Sequence, residues 1–436
     1  MYLKNMYIRK CRNNMNFDNY QNETKTMRKV DILKIGKLAS MMFFQYMMFA
    51  VWWVPLAAYL TNANVSSIQK SLILSSMAIG CMASPVIGMI ADRFFPGQKV
   101  LSLLNLINAG MLFLAGLAGN PDLLFVCMLI AMLCYMPTWG LTSSIAMANS
   151  TSEQFPRIRV FGSIGWVVSG VISVIVVNYF KMDFDGTKLP FFFAAGISLI
   201  AVIINLFLPN TPPPAKGKKA SLIDAFGFRT VKLMKERNFF IFIVFSFLSM
   251  IPFSMYFSYC SEFLLDKDFK YISITMNWGQ FAEMFFLLTI PFMIKKFGLR
   301  QTMILGLVAM LIRYVSFYAG SASEMMPFYF VGILTHGLIF GYFYLGGQIY
   351  IDKKAPLELR SQAQGFIFFV TFGLGLLIGN FINGQLINIY SETIDSVRKY
   401  DWNAIWGITT FTSLVLLVLF LILFKNEKAI TSVTSS

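Results

Sequence analysis

Long apolar runs alternate with short polar breaks along the whole chain. A helix needs about 20 apolar residues to cross a hydrocarbon core. Twelve runs meet that length, at roughly 38–61, 69–91, 100–118, 123–148, 160–180, 190–208, 239–264, 272–294, 301–319, 327–351, 363–389 and 404–424. A longer basic break at 209–237 separates six runs from six. The pattern predicts an all-α integral membrane protein with twelve transmembrane helices in two six-helix halves. The halves are placed at 37–208 and 238–425, joined by a linker at 209–237. Residues 1–36 are polar, Asn-rich and basic and are expected to form a disordered cytoplasmic tail, with a second short tail at 426–436. The first run starts near Leu38, late for a signal peptide, and is long enough to span, so no cleavable leader is expected.

The linker opens with Pro212, Pro213 and Pro214, which stop the sixth run, followed by Lys216, Lys218 and Lys219. Over 222–233, Leu222, Phe226 and Leu233 share one side, with Arg229, Lys232 and Lys235 beside them. That is the pattern of a short helix, either lying at the membrane interface or simply bridging the halves.

Composition agrees with the runs: 57% of residues are hydrophobic and 13% charged, outside the soluble globular range. The net charge of +15 does not call for nucleic acid. Counted from a cytoplasmic N-terminus, Arg93, Lys99, Arg157, Arg159, the linker, Lys295, Lys296, Arg300, Lys353, Lys354, Arg360, Lys425 and Lys428 share one side. The other side carries Asp183 and Asp185 with Lys188, then Asp266 and Asp268, then Glu392, Asp395 and Asp401 with Arg398 and Lys399. By the positive-inside rule both termini are cytoplasmic. The five cysteines form no CxxC pair and His336 is the single histidine, so neither a disulfide framework nor a metal or other cofactor is expected.

The second run ends in Gly88-x-x-x-Asp92-Arg93, and a basic string, Lys295-Lys296-Phe297-Gly298-Leu299-Arg300, holds the matching place after the eighth. Two parallel six-helix repeats are a known carrier plan, with the solute site at the midplane between them. Together with the layout, this loop resembles the major facilitator superfamily, which implies a gating role for Gly88, Asp92 and Arg93. Longer strings resemble one family within it, the nucleoside:proton symporters. They are Tyr135-Met136-Pro137-Thr138-Trp139-Gly140-Leu141, the stretch from Phe155 through Arg159 and Gly162 to Trp166, Gln280-Phe281-Ala282-Glu283, the stretch from Arg360 to Gly365, and Asp401-Trp402. The resemblance covers about residues 38–424 and implies import across the cytoplasmic membrane.

Ionisable groups inside spans are costly and mark function by default. Glu283 sits mid-span on the helical face of Gln280 and Asn277, among Trp278, Phe281, Met284, Phe285 and Phe286. It is either a proton carrier, a hydrogen-bonding anchor for a polar solute, or a structural partner for an Arg. Arg159, Ser163 and Trp166 repeat at i, i+4 and i+7, a stripe of cation, hydroxyl and aromatic plate. Such a stripe suits a nucleoside, whose base stacks while its polar edge and ribose take hydrogen bonds. Its bland alternative is a basic helix end with a packing indole. His336, Phe340 and Phe343 share that spacing on the tenth run, and the histidine is a candidate proton relay or a packing residue. Arg313 reads as a helix-interface residue, and Gln45 with Trp52 as either cavity lining or interfacial packing. Pro85, Pro137, Pro252 and Pro291 are candidate kinks.

The resemblance places substrate on Arg159, Ser163, Trp166, Gln280 and Glu283; the residues' own chemistry and spacing add Phe340 to that set and make Glu283 or His336 the candidate for proton coupling. It also exposes departures. Ser163 and Trp166 stand where the family has Thr and Phe, Ser254 and Phe257 where it has Gln and Asn, and Gly341 where it has its coupling aspartate. The expectation is a monomeric proton-coupled importer of nucleosides working by alternating access. A carrier of another small polar solute, such as a sugar or glycoside, is the alternative that the departures keep open. An enzyme is not expected, because no nucleophile–base constellation occurs.

Overall fold

The structure, a computed structural model, describes residues 17–151, 154–213, 226–356, 359–394 and 397–425. Eleven of its helices are long and apolar enough to cross a membrane: Ile32–Asn62, Ser67–Ile90, Gly97–Leu117, Pro121–Asn149, Arg157–Tyr179, Leu189–Leu206, Arg237–Asp266, Leu299–Ser323, Met326–Lys354, Gln362–Ile389 and Trp402–Leu423. The expected eighth span is the 26-residue helix Ile272–Phe297. It is long enough, at about 39 Å, but carries Asn277, Gln280 and Glu283. With it the twelve runs are all accounted for, and they are numbered below as the first to twelfth spans. Phe113, Leu117, Leu206, Phe285, Leu288, Phe411 and Ile422 are among many apolar side chains exposed on the outer faces, as lipid contact requires.

Four features correct or refine the sequence reading. Among the described residues the first helix runs unbroken from Phe17 to Trp53, so 17–36 are helical rather than a disordered tail. The stretch is rich in helix formers such as Gln, Glu, Lys, Met and Leu, and its only glycine is Gly36. Pro55 then breaks the first span, which resumes as Leu56–Asn62. The short helix of the linker is a 3-10 helix, Phe228–Lys235, and Leu222 lies outside the described residues. A two-stranded hairpin, Ser391–Ile394 with Val397–Tyr400, which the apolar runs do not predict, joins the last two spans of the otherwise α-helical fold. Among the candidate kinks, Pro137 splits its span at Tyr135, whereas Pro85, Pro252 and Pro291 sit inside unbroken helices.

Spans ten and eleven each contain a π-helical turn, Ile339–Leu345 and Phe369–Gly375. Such turns widen the helix locally and recur at functional sites.

Within the first half, a polar knot holds spans one, three and four. Gln45 Nε2 donates to Thr138 Oγ1 at 2.7 Å and Asn105 Oδ1 at 3.3 Å, and Asn105 Nδ2 donates back to Gln45 Oε1 at 2.9 Å. Gln45 is therefore an interior brace, not a cavity residue. Close approach of spans one and five depends on Gly165, where a Cβ would collide with the Phe43 carbonyl oxygen. Because that obstacle is backbone, Gly165→Val is expected to lower stability by roughly 1–3 kcal/mol. A thermal-unfolding midpoint in detergent equal to wild type would contradict this packing.

Odd spans run away from the linker and even spans run back, so each molecule has a linker end and a hairpin end. The halves meet where span five crosses eight, span two crosses eleven, and the end of span one meets span seven.

Candidate functional site

At the hairpin end the seam is closed by polar contacts. Lys70 of span two and Glu262 of span seven form an ion pair at 2.6 Å, both buried. Lys70 Nζ also donates to Thr61 Oγ1 at 2.8 Å, and the Tyr400 hydroxyl of the hairpin donates to the same Glu262 oxygen at 2.8 Å. Burial, then the Glu262 carboxylate, pushes the Tyr400 phenol up, which keeps it a donor. Nearby, the Asp185 carboxylate before span six accepts from Ser173 Oγ at 2.9 Å and from the Ser273 amide at 3.0 Å, with Ser273 Oγ donating as well. Ser71 and Tyr259 touch at 3.1 Å, and Arg398 donates to Ser67 Oγ at 3.0 Å.

The linker end is open. A cavity of ≈ 900 Å³ enters between spans two, four, ten and eleven, past Gly88, Arg93, Trp139, Gln348 and Gln364. Gly88 and Arg93 belong to the last turns of the helix Ser67–Phe94, not to a free loop. Arg93 donates to the Met89 carbonyl of its own helix at 3.1 Å. The side chain of Asp92, the third member of the expected gate, lies outside the described residues.

Between the two ends lie the expected site residues. Asn277 Nδ2 of span eight donates to the carbonyls of Trp166 (3.3 Å) and Val167 (3.2 Å) on span five. Gly170 permits this crossing, since a Cβ there would strike Asn277. The two helices are antiparallel, so Arg159 and Glu283, seven and six residues away, both lie about 10 Å toward the linker end. Arg159 is within electrostatic reach of Glu283 across the seam, and Gln280 stands beside the Glu283 carboxyl one turn earlier on the same helix. The Arg159 guanidinium also lies over the Tyr46 ring at 4.3 Å, and Tyr46 stacks on Trp139 at the cavity wall, with ring centroids 6.0 Å apart. A cation of one half and a carboxylate of the other thus face each other at electrostatic range behind the open cavity.

On the other side of Glu283 stands His336, its Nε2 3.6 Å from Glu283 Oε2. The Phe340 ring stacks on His336 at 6.1 Å and falls on the π-turn of span ten with Gly341. Gly341 faces Leu287 and Ile290, so the family's aspartate position is apolar here. Arg313 is fully buried, donates from Nε to the Gly332 carbonyl at 3.1 Å, and lies 3.8 Å over the Tyr256 ring, as an interface residue would. Trp166, Gln280 and His336 line one narrow cavity with Trp53, Tyr256, Phe257 and Asn277. Ser254 is instead engaged with Asn383 between spans seven and eleven, at 2.8 Å. Ser163 is half-buried on the turn between Arg159 and Trp166.

Trp53, Tyr46, Lys70 and Glu262 were not singled out from sequence. The last two carried the needed signal, being ionisable groups in apolar runs; their position near run ends made them look like ordinary boundary charges.

Two six-helix halves, sealed at one end and open at the other around a charged centre, define an alternating-access carrier rather than an enzyme. Residues 33–429 match the family model described as Nucleoside H+ symporter, and the chain belongs to that family. It is 34% identical to the putative nucleoside transporter YegT of Escherichia coli (strain K12), over 91% of this chain and 96% of that protein. It is 29% identical to the xanthosine permease of the same organism, over 89% and 95%. The crystal structure of the nucleoside transporter NupG superposes with a TM-score of 0.79 at 26% identity, covering 90% of this chain and 99% of that one. A POT-family transporter at 12% identity and a TM-score of 0.71 shares the fold alone.

Proposed function

We propose that the chain imports nucleosides with protons across the cytoplasmic membrane, acting as a monomer with its linker end and both termini inside. The observation that carries this reading is that Arg159 and Glu283, on opposite halves, lie within electrostatic reach of each other behind the cavity at the linker end. Substrate binds among Arg159, Ser163, Trp166, Gln280, Glu283 and Phe340, where aromatic plates and amide and charged groups converge. Glu283 exchanges the proton, with His336 beside it. Protonating Glu283 removes its charge attraction to Arg159 and frees the halves to rock; the end near Gly88, Asp92 and Arg93 then closes as the hairpin end opens.

Relatives named for nucleosides and for xanthosine support the substrate class. In vesicles loaded with the chain, labelled uridine uptake is expected to be competed by excess unlabelled nucleosides and left unchanged by excess sugars. Competition by sugars alone would replace this reading with a sugar or glycoside carrier.

A further inference from the structure

The narrow cavity on the seam is walled by Trp53, Trp166, Tyr256 and Phe257, aromatic faces suited to a flat ring. Its free volume of ≈ 30 Å³ is about that of one water. Three of its lining side chains, each more than nine-tenths buried, end in a polar atom with no hydrogen-bond partner: Trp53 Nε1, Asn277 Oδ1 and His336 Nδ1. Unpaired buried polar atoms are costly, and three at one cavity call for a ligand.

Their chemistry is set by what the same side chains already do. Asn277 spends its Nδ2 on two backbone carbonyls, which fixes the amide orientation, so it presents an acceptor. Trp53 can only donate. His336 has its Nε2 turned to Glu283. A neutral imidazole donates from one nitrogen and accepts at the other. Once the 3.6 Å approach closes to a hydrogen bond, a protonated Glu283 donates to Nε2 and Nδ1–H becomes a donor. When Glu283 is charged, Nε2–H turns to it and Nδ1 becomes an acceptor.

Resting on the nucleoside reading above, we propose that Trp53, Asn277 and His336 form the base-reading wall of the site and select an imide edge. That edge, two carbonyls flanking one N–H as in uracil and xanthine, supplies two acceptors and one donor. It matches the two donors and one acceptor shown by the wall only while Glu283 is protonated. Base recognition is thereby tied to the proton through a single imidazole ring. The base enters by parting Trp53 of the first half from Phe257 of the second, whose ring centroids are 5.5 Å apart, so binding acts directly on the seam.

The test is equilibrium binding of uridine, cytidine and N3-methyluridine to the purified full chain in detergent, wild type and Trp53→Phe, with Asn277→Ala as a second variant. A site built to pair polar groups rejects ligands that leave them unpaired. Wild type is expected to prefer uridine over both other ligands by roughly tenfold or more. Trp53→Phe, which keeps an aromatic ring against Phe49, is expected to weaken uridine roughly tenfold while changing cytidine, which has an amine in place of one carbonyl, little. In Asn277→Ala the penalty for N3 methylation is expected to vanish. Equal weakening of all three ligands in both variants is the mark of packing around a trapped water and would overturn the inference, as would a wild type without base preference. If wild type binds no nucleoside at all, the transport reading fails and takes this inference with it.

Discussion

Glu283→Gln is expected to abolish proton-driven accumulation of nucleoside while exchange of labelled for unlabelled nucleoside survives. A pH difference of one unit is worth about 1.4 kcal/mol per proton, a tenfold concentration ratio. Wild-type vesicles under that gradient should approach an accumulation of about tenfold for one proton per cycle, and the variant should stop near equal concentrations. The effect follows from where the carboxyl sits. It is buried on span eight, faces Arg159 on the opposite half, and holds Gln280 and His336 around it. The amide keeps the shape and the contact to Gln280 but cannot change charge, so the attraction across the seam no longer follows the proton. Wild-type accumulation in the variant would remove Glu283 from the coupling role. Loss of exchange as well would mean that the carboxylate is needed to hold substrate.

The second large effect is expected at the hairpin end. Removing one partner of a buried ion pair strands the other charge and costs roughly 3–5 kcal/mol. Lys70 and Glu262 pair only while the hairpin end is closed, because they sit on opposite halves. Glu262→Gln therefore penalises the closed end selectively and shifts the population toward opening there. Ser71, buried against Tyr259 on the same seam, is a reporter. With Ser71→Cys as the label site, Glu262→Gln should raise the rate of modification by a membrane-impermeant maleimide by well over tenfold, since several kcal/mol shift such an equilibrium by more than that. Adding Lys70→Met should bring the rate back toward the parent, as replacing both charges leaves nothing stranded. Unchanged labelling in Glu262→Gln would show that the pair does not hold the gate.

Much of this architecture can be read from the chain because a bilayer leaves few options. Apolar runs must be helices, and a charge within one must have a reason to be there. That reasoning reached Arg159 and Glu283 directly. It could not separate Gln45, whose amide is spent on Asn105 and Thr138, from a polar residue facing a cavity. Nor could it choose between Trp52 and Trp53: adjacent indoles in an apolar run look alike, and only packing turns Trp52 to Phe191 and Trp53 to Phe257. The hairpin was hidden because its strands are four residues each, and its role depends on Tyr400 meeting Glu262, a contact 138 residues apart. The π-turns of spans ten and eleven leave no sign in the apolar pattern. The helical stretch before the first span is hidden by its polarity, although helix formers dominate it.

The most direct test of the central claim is whether nucleoside entry carries protons through Glu283. In weakly buffered vesicles containing the purified chain, with no imposed gradient, uridine added outside should make the outer medium more alkaline as it enters. The Glu283→Gln variant should give no such signal. Uridine entry into wild-type vesicles without any pH change, or an undiminished signal in the variant, would contradict the account.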